Sequence, residues 1–459
     1  MFGHFTVKLQ QGGTLIMTLV FVTMFAVIFT SLAGLVNRTY HESVLQAQDE
    51  TAFQIAESGL NFGRWRLAHA PDDYTEQTNT VTDQLQGDLG EYTVTFTEPL
   101  AGSTTVLITS VGGTVGQPGR TVELRARYGR PSLARFASVT NGDVWYGGTI
   151  SGLVHANGGI RMDGASDSLV TSAMETYVCQ TYHGCGPTTK PGVWGTGVIA
   201  ELWEFPVAAV DYNGITSDLL DMKTAAQASG TYYGDSGDFG YEIEFNSNNT
   251  YTISRVTAKG PSVWSWLSAT GWQFTSHDVG TTALVATASV PSDGIIYVED
   301  TVWIHGDVRD RVTVAAGVFP DTPATNVDVI LNGNISYDGV RDGSRALGAV
   351  GQRHILIPWS GAPDDMVLDG AYIAQKGAFH RRYYPNGYGS QAHYLKNSLT
   401  RYGMLASNDV PATTWVSGST VVSGFQSGSA SYDPYFLYAP PPYFPTSGQY
   451  EFISWEEEQ

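Results

Sequence analysis

The sequence predicts a mainly β protein with one long N-terminal α-helix. An uncharged run occupies residues 14–36, and a proline-free stretch with helical spacing follows it. From about residue 90 onward, short alternating or β-branched segments are separated by glycine-bearing turns. These observations predict a helix packed on an antiparallel sheet, then an irregular β-solenoid with an inserted α+β segment. A β-sandwich is the alternative for the last part, because its short strands would leave a similar pattern.

The apolar run predicts a membrane helix. At about 1.5 Å per residue, residues 14–36 span roughly the 30 Å hydrocarbon core of a bilayer. Lys8 precedes the run, whereas acidic residues begin after it at Glu42. Because positive charge stays on the cytoplasmic side, we expect a single-pass protein of the inner or cytoplasmic membrane with its C-terminus outside.

The helical pattern continues beyond the apolar run. Ala52, Ala56, Gly59 and Gly63 recur at intervals of three or four residues, so their small side chains share one face of a helix. Another element of the fold can approach such a face closely. We therefore predict one helix over residues 14–70, with its first half in lipid and its second half carrying a soluble domain.

The N-terminal region combines a short basic lead that ends in glycine, an uncharged helix, and the closing segment AFQIAESGL at residues 52–60. Together these features resemble the start of type IV pilus minor pilins of the PilX-like group, over residues 5 to 128. The resemblance implies that residues 1–13 are a leader peptide, which a prepilin peptidase removes by cutting after Gly12 or Gly13. It also implies a set of helix-packing residues: Ala52, Ala56, Glu57, Gly59 and Gly63.

Two positions depart from the family pattern. Gly13 stands where the mature pilin usually begins with an aromatic residue, and Met17 stands where major pilins have a glutamate. That glutamate is thought to pair with the free N-terminus of a neighbouring subunit. A charge in the membrane needs a partner, so its loss removes a contact that sets the register between subunits. The resemblance therefore suggests a rare, tip-like or initiating subunit, and a signal-anchored protein outside any filament is the alternative.

The resemblance also implies the partners and the location of the chain. Its helix would contact other pilin subunits and the pilus assembly machinery, and it would lie in the bilayer before assembly. After assembly the protein would be found at the cell surface or in a pilus. The net charge of −20 argues against nucleic acid as a partner, because polyanions repel an acidic protein. A surface glycan or a protein is the candidate ligand of the exported part.

Residues 71–129 predict a small antiparallel meander. Three alternating segments, at residues 91–97, 104–110 and 121–128, are separated by turns that contain glycine or proline. Alternation places one side of each strand against the apolar stripe of the helix. The predicted core of this sheet consists of Tyr92, Val94, Phe96, Val106, Ile108, Val122 and Leu124.

Residues 130–459 predict the β-solenoid head. Short β-branched runs with a turn every few residues indicate stacked coils that bury ladders of valine and isoleucine. An insertion is expected at residues 165–290. It would contain a helix over residues 212–228 and a hairpin that turns at residues 246–249.

Cys179 and Cys185 predict a local disulfide. They enclose a short loop in an exported region, where disulfides persist. His183 lies between them, but two thiolates and one histidine at this spacing match no common zinc pattern. We expect no metal there.

The chain offers weak signals for catalysis or for a cation. Gly234-Asp235-Ser236-Gly237 resembles a protease nucleophile segment, but the following residues and the absence of a matching histidine segment argue against it. An acidic turn or a weak Ca²⁺ loop at Asp235 and Asp238 is the alternative, and no other cofactor is expected.

Two further groups are candidate sites in the head. Asp364, Asp365 and Asp369 could pair carboxylates on one solenoid face, as in enzymes that cleave polysaccharides. A basic and aromatic cluster is interpreted as a salt-bridging turn, with ligand contact as the alternative. Its members are His380, Arg381, Arg382 and Tyr383.

The proline-rich aromatic segment at residues 432–445 cannot extend a strand ladder, because proline lacks the backbone N–H. With Glu451 to Trp455 behind it, this segment resembles the ending of uncharacterised solenoid-type domains joined to PilX-like anchors. We expect it to lie over the last coil and to shield an open edge. An exposed aromatic platform for sugars or proteins is the alternative.

These features together predict a non-enzymatic minor pilin-like surface protein. The helix would serve assembly or anchoring, and the head would serve adhesion or pilus assembly. The alternatives are a membrane-anchored enzyme that acts on polysaccharides and a fixed structural surface protein.

Overall fold

The computed structural model describes residues 11–458 except 86, 117–118, 198–199, 229 and 449. This part of the chain contains the long helix α1 (Gln11–His69), the helix α2 (Gly214–Ala228) and a single helical turn, α3 (Gln391–Tyr394). Most of the remainder forms strands in several sheets. The predicted fold class, one long N-terminal helix followed by a mainly β chain, is confirmed.

The strands are short and follow one another closely along the chain. In chain order they are β1 Gln77–Asp83, β2 Gly87–Thr97, β3 Val106–Thr114, β4 Thr121–Gly129, β5 Phe136–Thr140, β6 Val144–Tyr146, β7 Leu153–Ala156, β8 Ile160–Met162, β9 Val170–Ser172, β10 Thr176–Cys179, β11 Thr188–Pro191, β12 Val193–Trp194, β13 Trp203–Glu204, β14 Thr231–Tyr233, β15 Tyr241–Asn246, β16 Thr250–Lys259, β17 Val263–Leu267, β18 Gly271–Thr275, β19 Val279–Ser289, β20 Ile295–Val298, β21 Val302–Asp307, β22 Arg311–Ala316, β23 Val329–Ser336, β24 Ala346–Gly351, β25 Ile355–Ile357, β26 Asp365–Ala374, β27 Phe379–Arg381, β28 Leu395–Ser407, β29 Thr414–Ser417, β30 Thr420–Ser431 and β31 Glu451–Glu458.

The chain divides into two compact units. The first contains residues up to 98, residues 106–128 and the residues from 452 onward, and the second contains residues 99–105 and 129–451. The chain therefore leaves the first unit after β4 and returns to it with β31. The C-terminal strand was not predicted as part of the first unit, because hundreds of residues separate it from β4.

In the first unit, α1 packs on a sheet with the strand order β1, β2, β3, β4, β31. The pairings from β1 to β4 are antiparallel. The interior of this unit consists of alternate strand residues and one stripe of the helix, since successive strand residues face opposite sides. Of the predicted core residues, Phe96 and Val122 are partly buried, and the other five are buried: Tyr92, Val94, Val106, Ile108 and Leu124.

The second unit contains a stack of coils joined by parallel strand pairs. Its longest sheet, which we call sheet A, has the order β14, β20, β22, β24, β26, β28, β5, β7, β9, β13. From β20 to β28, each strand pairs with the strand that occupies the same place one coil later. The chain order breaks in the middle, because β5 stacks on β28, with Ala406 opposite Val139.

Two further rows of parallel strands complete the coils that precede this break. One row has the order β15, β21, β23, β25, β27. The other row joins parts of β23, β26 and β28 to β30. Beyond the break, β6, β8 and β12 form a separate parallel sheet.

Sheet A is buried on both sides. Ile296 and Val298 of β20 face the interior of the coils, together with the matching residues of the next strands. Their neighbours Ile295 and Tyr297 face the other side, where α2 and aromatic residues from the C-terminal part of the unit cover the sheet. Burial of both faces explains why these strands are apolar throughout instead of alternating.

The structure corrects two predictions about the head. Residues 165–204 of the predicted insertion supply β9, β12 and β13 to the parallel sheets, so they belong to the stack itself. The proline-rich segment does not cover an end coil. It runs along the outer face of sheet A, where Pro442 lies against Gly294, Phe444 against Gly348 and Phe436 against Gly403.

Candidate functional site

The N-terminal part of α1 is an exposed apolar surface. The described part of the fold leaves its large side chains exposed. Leu15 and Phe29, for example, are 74% and 67% exposed. The most apolar window of this helix has a mean hydropathy of 2.5 and is 0% buried. By length and composition, α1 can cross a membrane. A soluble monomer rarely leaves so large an apolar surface in water.

Three threonine hydroxyls in this apolar run are satisfied within the helix. The hydroxyls of Thr18, Thr23 and Thr30 donate to backbone carbonyls three or four residues earlier, at 2.5, 2.9 and 2.9 Å. These bonds leave few hydrogen-bonding groups directed outward. The surface therefore suits either hydrocarbon or the apolar faces of other helices.

The predicted processing residues lie at the start of the described chain. Gly12 and Gly13 are part of α1, and space around Gly13 is open. Residues 1–10 of the predicted leader, with Lys8, lie outside the described residues. Met17 is 65% exposed on the helix surface. Cleavage after Gly12 or Gly13 stays a prediction.

The second half of α1 packs closely on the sheet of the first unit. A Cβ on Gly59 would lie 2.1 Å from Oγ of Ser110 and 2.9 Å from the Tyr92 ring. One turn later, a Cβ on Gly63 would lie 2.8 Å from Ile108. Glycine is therefore needed at both positions, because a larger residue would push the helix away from β2 and β3.

The helix residues named above divide between two faces. Ala52 and Ala56 are buried beside β3. Glu57 is exposed, on the side of the helix that faces away from these residues. The C-terminal strand adds aromatic contacts to this unit, since Trp455 lies edge-on to Phe53 with 5.7 Å between ring centroids.

Cys179 and Cys185 form a disulfide in the structure, with 6.1 Å between their Cα atoms. The bond closes the turn between the antiparallel strands β10 and β11. His183 of this turn is buried, and burial lowers the pKa of its imidazole. Among the described residues, no group of three or more His, Cys, Asp or Glu side chains could hold a metal ion.

The basic cluster at residues 380–383 lies inside the second unit and forms no salt bridge among the described residues. Arg381 is fully buried, and its guanidinium donates to the carbonyls of Pro358, Trp359 and His393. The interpretation as a salt-bridging turn is therefore wrong, because backbone carbonyls replace carboxylates as the acceptors.

The neighbours of Arg381 are also engaged. His380 is buried, and Arg382 donates to the side chains of Thr270 and Gln273 at 3.2 and 2.7 Å. Tyr383 is partly exposed and lies edge-on to Trp272, with ring centroids 5.8 Å apart. Tyr383 is thus the member of the cluster best placed to contact a ligand.

The acidic turn at residues 234–238 is held by local bonds. Oγ of Ser236 donates to Asp300 at 2.6 Å, so the serine is not paired with a histidine base. Asp235 accepts from the backbone N–H of Gly237, and Asp238 pairs with Arg255 at 2.9 Å. A Ca²⁺ ion would compete with Arg255 for Asp238.

The three acids of the enzyme alternative each hold part of the fold. Asp364 pairs with Lys396 at 3.1 Å. Asp369 is buried and accepts from the backbone N–H of Tyr337 and from Arg341, both at 2.9 Å. Asp365 accepts hydrogen bonds from Ser398 and Asn397, and these bonds lower the pKa of its carboxyl.

A cavity of about 780 Å³ in the second unit contains an acid that the sequence did not single out. Asp218 of α2 lines it, with Asp211, Asp221 and Arg130 nearby. Burial raises the pKa of the Asp218 carboxyl to about 6. The helical spacing of the sequence could have identified Asp218 as partly buried, because this residue lies next to Leu219 on the buried side of α2.

Comparison with known proteins gives little further information. No family model matches the chain, and no curated protein matches it. Among solved structures, the chain is similar to the crystal structure of the competence-associated pilin ComZ from Thermus thermophilus. The alignment covers 90% of this chain and 98% of that one, with 13% sequence identity and a TM-score of 0.33.

Proposed function

We propose that the chain is a non-enzymatic, minor pilin-like surface protein that is anchored or assembled through α1. One observation carries the proposal: a single helix is fully exposed and apolar in its first half and packed against a sheet in its second half. The exposed half must be covered by lipid or by other helices, while the packed half fixes a folded domain to it.

The two halves act as one rod because the helix is continuous from Gln11 to His69. A signal sequence that is removed after export would not need to be continuous with the buried stripe of a domain. A pilin needs this continuity, since its helix first lies in the membrane and then packs in the filament. The departures at Gly13 and Met17 favour a rare subunit over the repeating one.

The composition and the disulfide support an exported second unit. The Cys179–Cys185 bond persists in an oxidising compartment. The proposed orientation places the N-terminus in the cytoplasm and the β-solenoid head outside, where the head contacts a surface glycan or a protein. The carboxylates of Asp364 and Asp369 are committed to structural partners, which favours a binding role over polysaccharide cleavage at that place.

Mass spectrometry of the mature N-terminus, on protein purified from its source cells, tests the proposal. We expect a chain that begins at residue 13 or 14, together with recovery of the protein in sheared filaments. A variant with both Gly12 and Gly13 changed to leucine is the control, and it should stay uncut and absent from the sheared fraction. A wild-type chain that begins near Met1 and stays in the membrane fraction would instead support a fixed anchor.

A further inference from the structure

A second cavity of the head, about 690 Å³ in volume, lies where the stacking order of the coils breaks. Strands β28 and β30 line it on one side, and the segment from Trp145 to Ser151 lines it on the other. In sheet A the strands on either side of the break are paired, since Leu405 of β28 lies opposite Ser138 of β5. Away from sheet A, within the described chain, β30 pairs with β28 and β29 and β6 pairs with β8. The cavity is the gap between these two unpaired strand edges.

Arg401 occupies a core position at the floor of this gap. Ile335 of β23 pairs with Leu368 of β26, and Leu368 in turn pairs with Arg401 of β28. Both aliphatic residues are buried in the interior of the coils. The next residue in the register is Ala430 of β30. A guanidinium thus stands where earlier coils place aliphatic side chains, and it lines the cavity.

The charge of Arg401 has no anionic partner in the described part of the chain. No hydrogen bond or ion pair of its guanidinium is found there, and its ring contact is with Phe379, at 5.8 Å from the centroid. The phenols that face it are Tyr146 and Tyr372. Both are neutral, because burial raises the pKa of Tyr146 to about 12 and holds the pKa of Tyr372 well above its usual value.

Those two phenols are also already bonded. The hydroxyl of Tyr146 shares a hydrogen bond of 2.7 Å with Ser138, and the hydroxyl of Tyr372 donates to the carbonyl of Asp369 at 3.0 Å. A partly buried cation without a counter-charge is costly, so an anion that enters the gap gains a strong, charge-assisted bond. Among the described residues, no Asp or Glu lines the cavity, although the chain as a whole carries a charge of −20.

The walls and the rim of the cavity differ in chemistry. The aromatic side chains accessible in the walls are the exposed Trp145 and the partly exposed Tyr146, while Tyr372, Phe379 and Phe425 lie buried behind the surface. The rim consists of small polar residues of the exposed strand β30 and of the facing segment: Thr149, Ser151, Gln426, Ser427, Ser429 and Ser431. Such a site offers apolar faces inside, one cation at the floor, and hydroxyl and amide groups at the mouth.

We propose that this cavity binds a carboxylate-bearing sugar unit of a surface glycan. The guanidinium of Arg401 would hold the carboxylate through two parallel hydrogen bonds, the rings of Trp145 and Tyr146 would pack on the sugar face, and the rim would bond its hydroxyls. The volume suits a short oligosaccharide. A polyanion with dense charge fits less well, because the site offers one cation and the acidic protein repels further negative charge. This inference rests on the proposed function, since it names the ligand class of the head.

Calorimetric titration of the full-length protein in detergent, with a galacturonic acid trisaccharide as the probe, tests the inference. We expect wild type to bind the acidic probe and to bind its methyl ester about 10- to 100-fold more weakly, since one charged hydrogen-bonding pair is lost. The variant Arg401→Met should lose affinity by the same factor. Arg401→Lys should retain part of the affinity, because it keeps the charge but not the paired bonds.

The matched control is Arg255→Gln, which removes an arginine outside the cavity and should leave the affinity unchanged. Melting temperatures separate lost binding from misfolding, because methionine at position 401 matches the aliphatic residues of earlier coils and should keep the fold. Equal affinity of wild type for the acid and its ester, or unchanged affinity in Arg401→Met, would overturn the inference. So would failure of wild type to bind at millimolar probe, or binding only of a peptide with a free C-terminal carboxylate. None of these results depends on N-terminal processing, so the proposed function stands or fails separately.

Discussion

Gly112 of β3 lies directly against Ala56 of α1, and a Cβ on the glycine would stand 2.4 Å from the backbone nitrogen of the alanine. The carbonyl oxygen of Ala52 would be 2.6 Å from the same Cβ. Both neighbours are backbone atoms of a helix and cannot rotate away. The distance between helix and sheet in the first unit is therefore limited by a glycine on the strand as well as by small residues on the helix.

We predict that Gly112→Ala loosens this packing, at a cost of about 1–3 kcal/mol, because the helix must shift to admit the methyl group. Faster hydrogen exchange of β2 and β3 amides would report it. Gly113→Ala is a matched control, since a Cβ there meets the movable Thr121 side chain at 3.3 Å. Equal exchange rates in both variants would contradict the prediction.

The long helix and the β2 to β4 meander could be predicted from sequence because both depend on local periodicity. Tyr92 and Val94 alternate on one strand, and Gly59 and Gly63 are one turn apart. The pairing of β31 with β4 could not be predicted in this way, and neither could the stacking of β5 on β28. In both cases the paired residues are hundreds of positions apart, and no local pattern records which edges meet.

The buried arginines show a second limit of sequence reasoning. Arg381 and its basic neighbour look like surface residues in an acidic protein, yet the guanidinium of Arg381 is surrounded by carbonyls. Backbone acceptors leave no trace in the sequence, so this role depends on the fold. The position of Arg401 among aliphatic residues is likewise visible only once the coil register is known.

We predict that Arg381→Met destabilises the second unit by about 3–5 kcal/mol, because the carbonyls of Pro358, Trp359 and His393 would be left buried without a donor. Denaturation monitored by tryptophan fluorescence provides the measurement. Arg309→Met is the control, since its partner Asp338 is largely exposed. A loss no larger than that of the control would show that water or other donors replace the guanidinium.

The raised pKa of Asp218 predicts that replacing its carboxyl stabilises the protein, and that this stabilisation depends on pH. Because the pKa of the folded state, about 6, lies above that of the unfolded chain, the protonated carboxyl stabilises the fold at low pH. This contribution is lost as the pH rises through about 6. Asp218→Asn should therefore raise the melting temperature at pH 8 and change it little at pH 4.

The control for Asp218 is Asp342→Asn in an exposed turn. Hydrogen bonds from Ser344 lower the pKa of the Asp342 carboxyl, so the ionised form of this group stabilises the fold. Replacing the Asp342 carboxyl should therefore not stabilise the protein at pH 8. Arg130 counteracts the rise at Asp218, whereas Asp221 and Asp211 add to it. A melting temperature of Asp218→Asn that is shifted equally at both pH values would exclude titration of this carboxyl as the cause.

The exposed apolar half of α1 leads to a last prediction, on membrane or filament insertion. Phe25 is 59% exposed in the middle of the uncharged run, and Tyr40, 70% exposed, lies beyond its end. Arginine in place of Phe25 would bring a charge to the centre of the bilayer, at a cost of about 2.5–3.5 kcal/mol for insertion. Tyr40→Arg should cost little, because that residue lies where the helix already carries Arg38 and Glu42. Carbonate extraction of membranes should therefore release Phe25→Arg and retain Tyr40→Arg, and retention of both variants would contradict the placement of residue 25 at the centre of the bilayer.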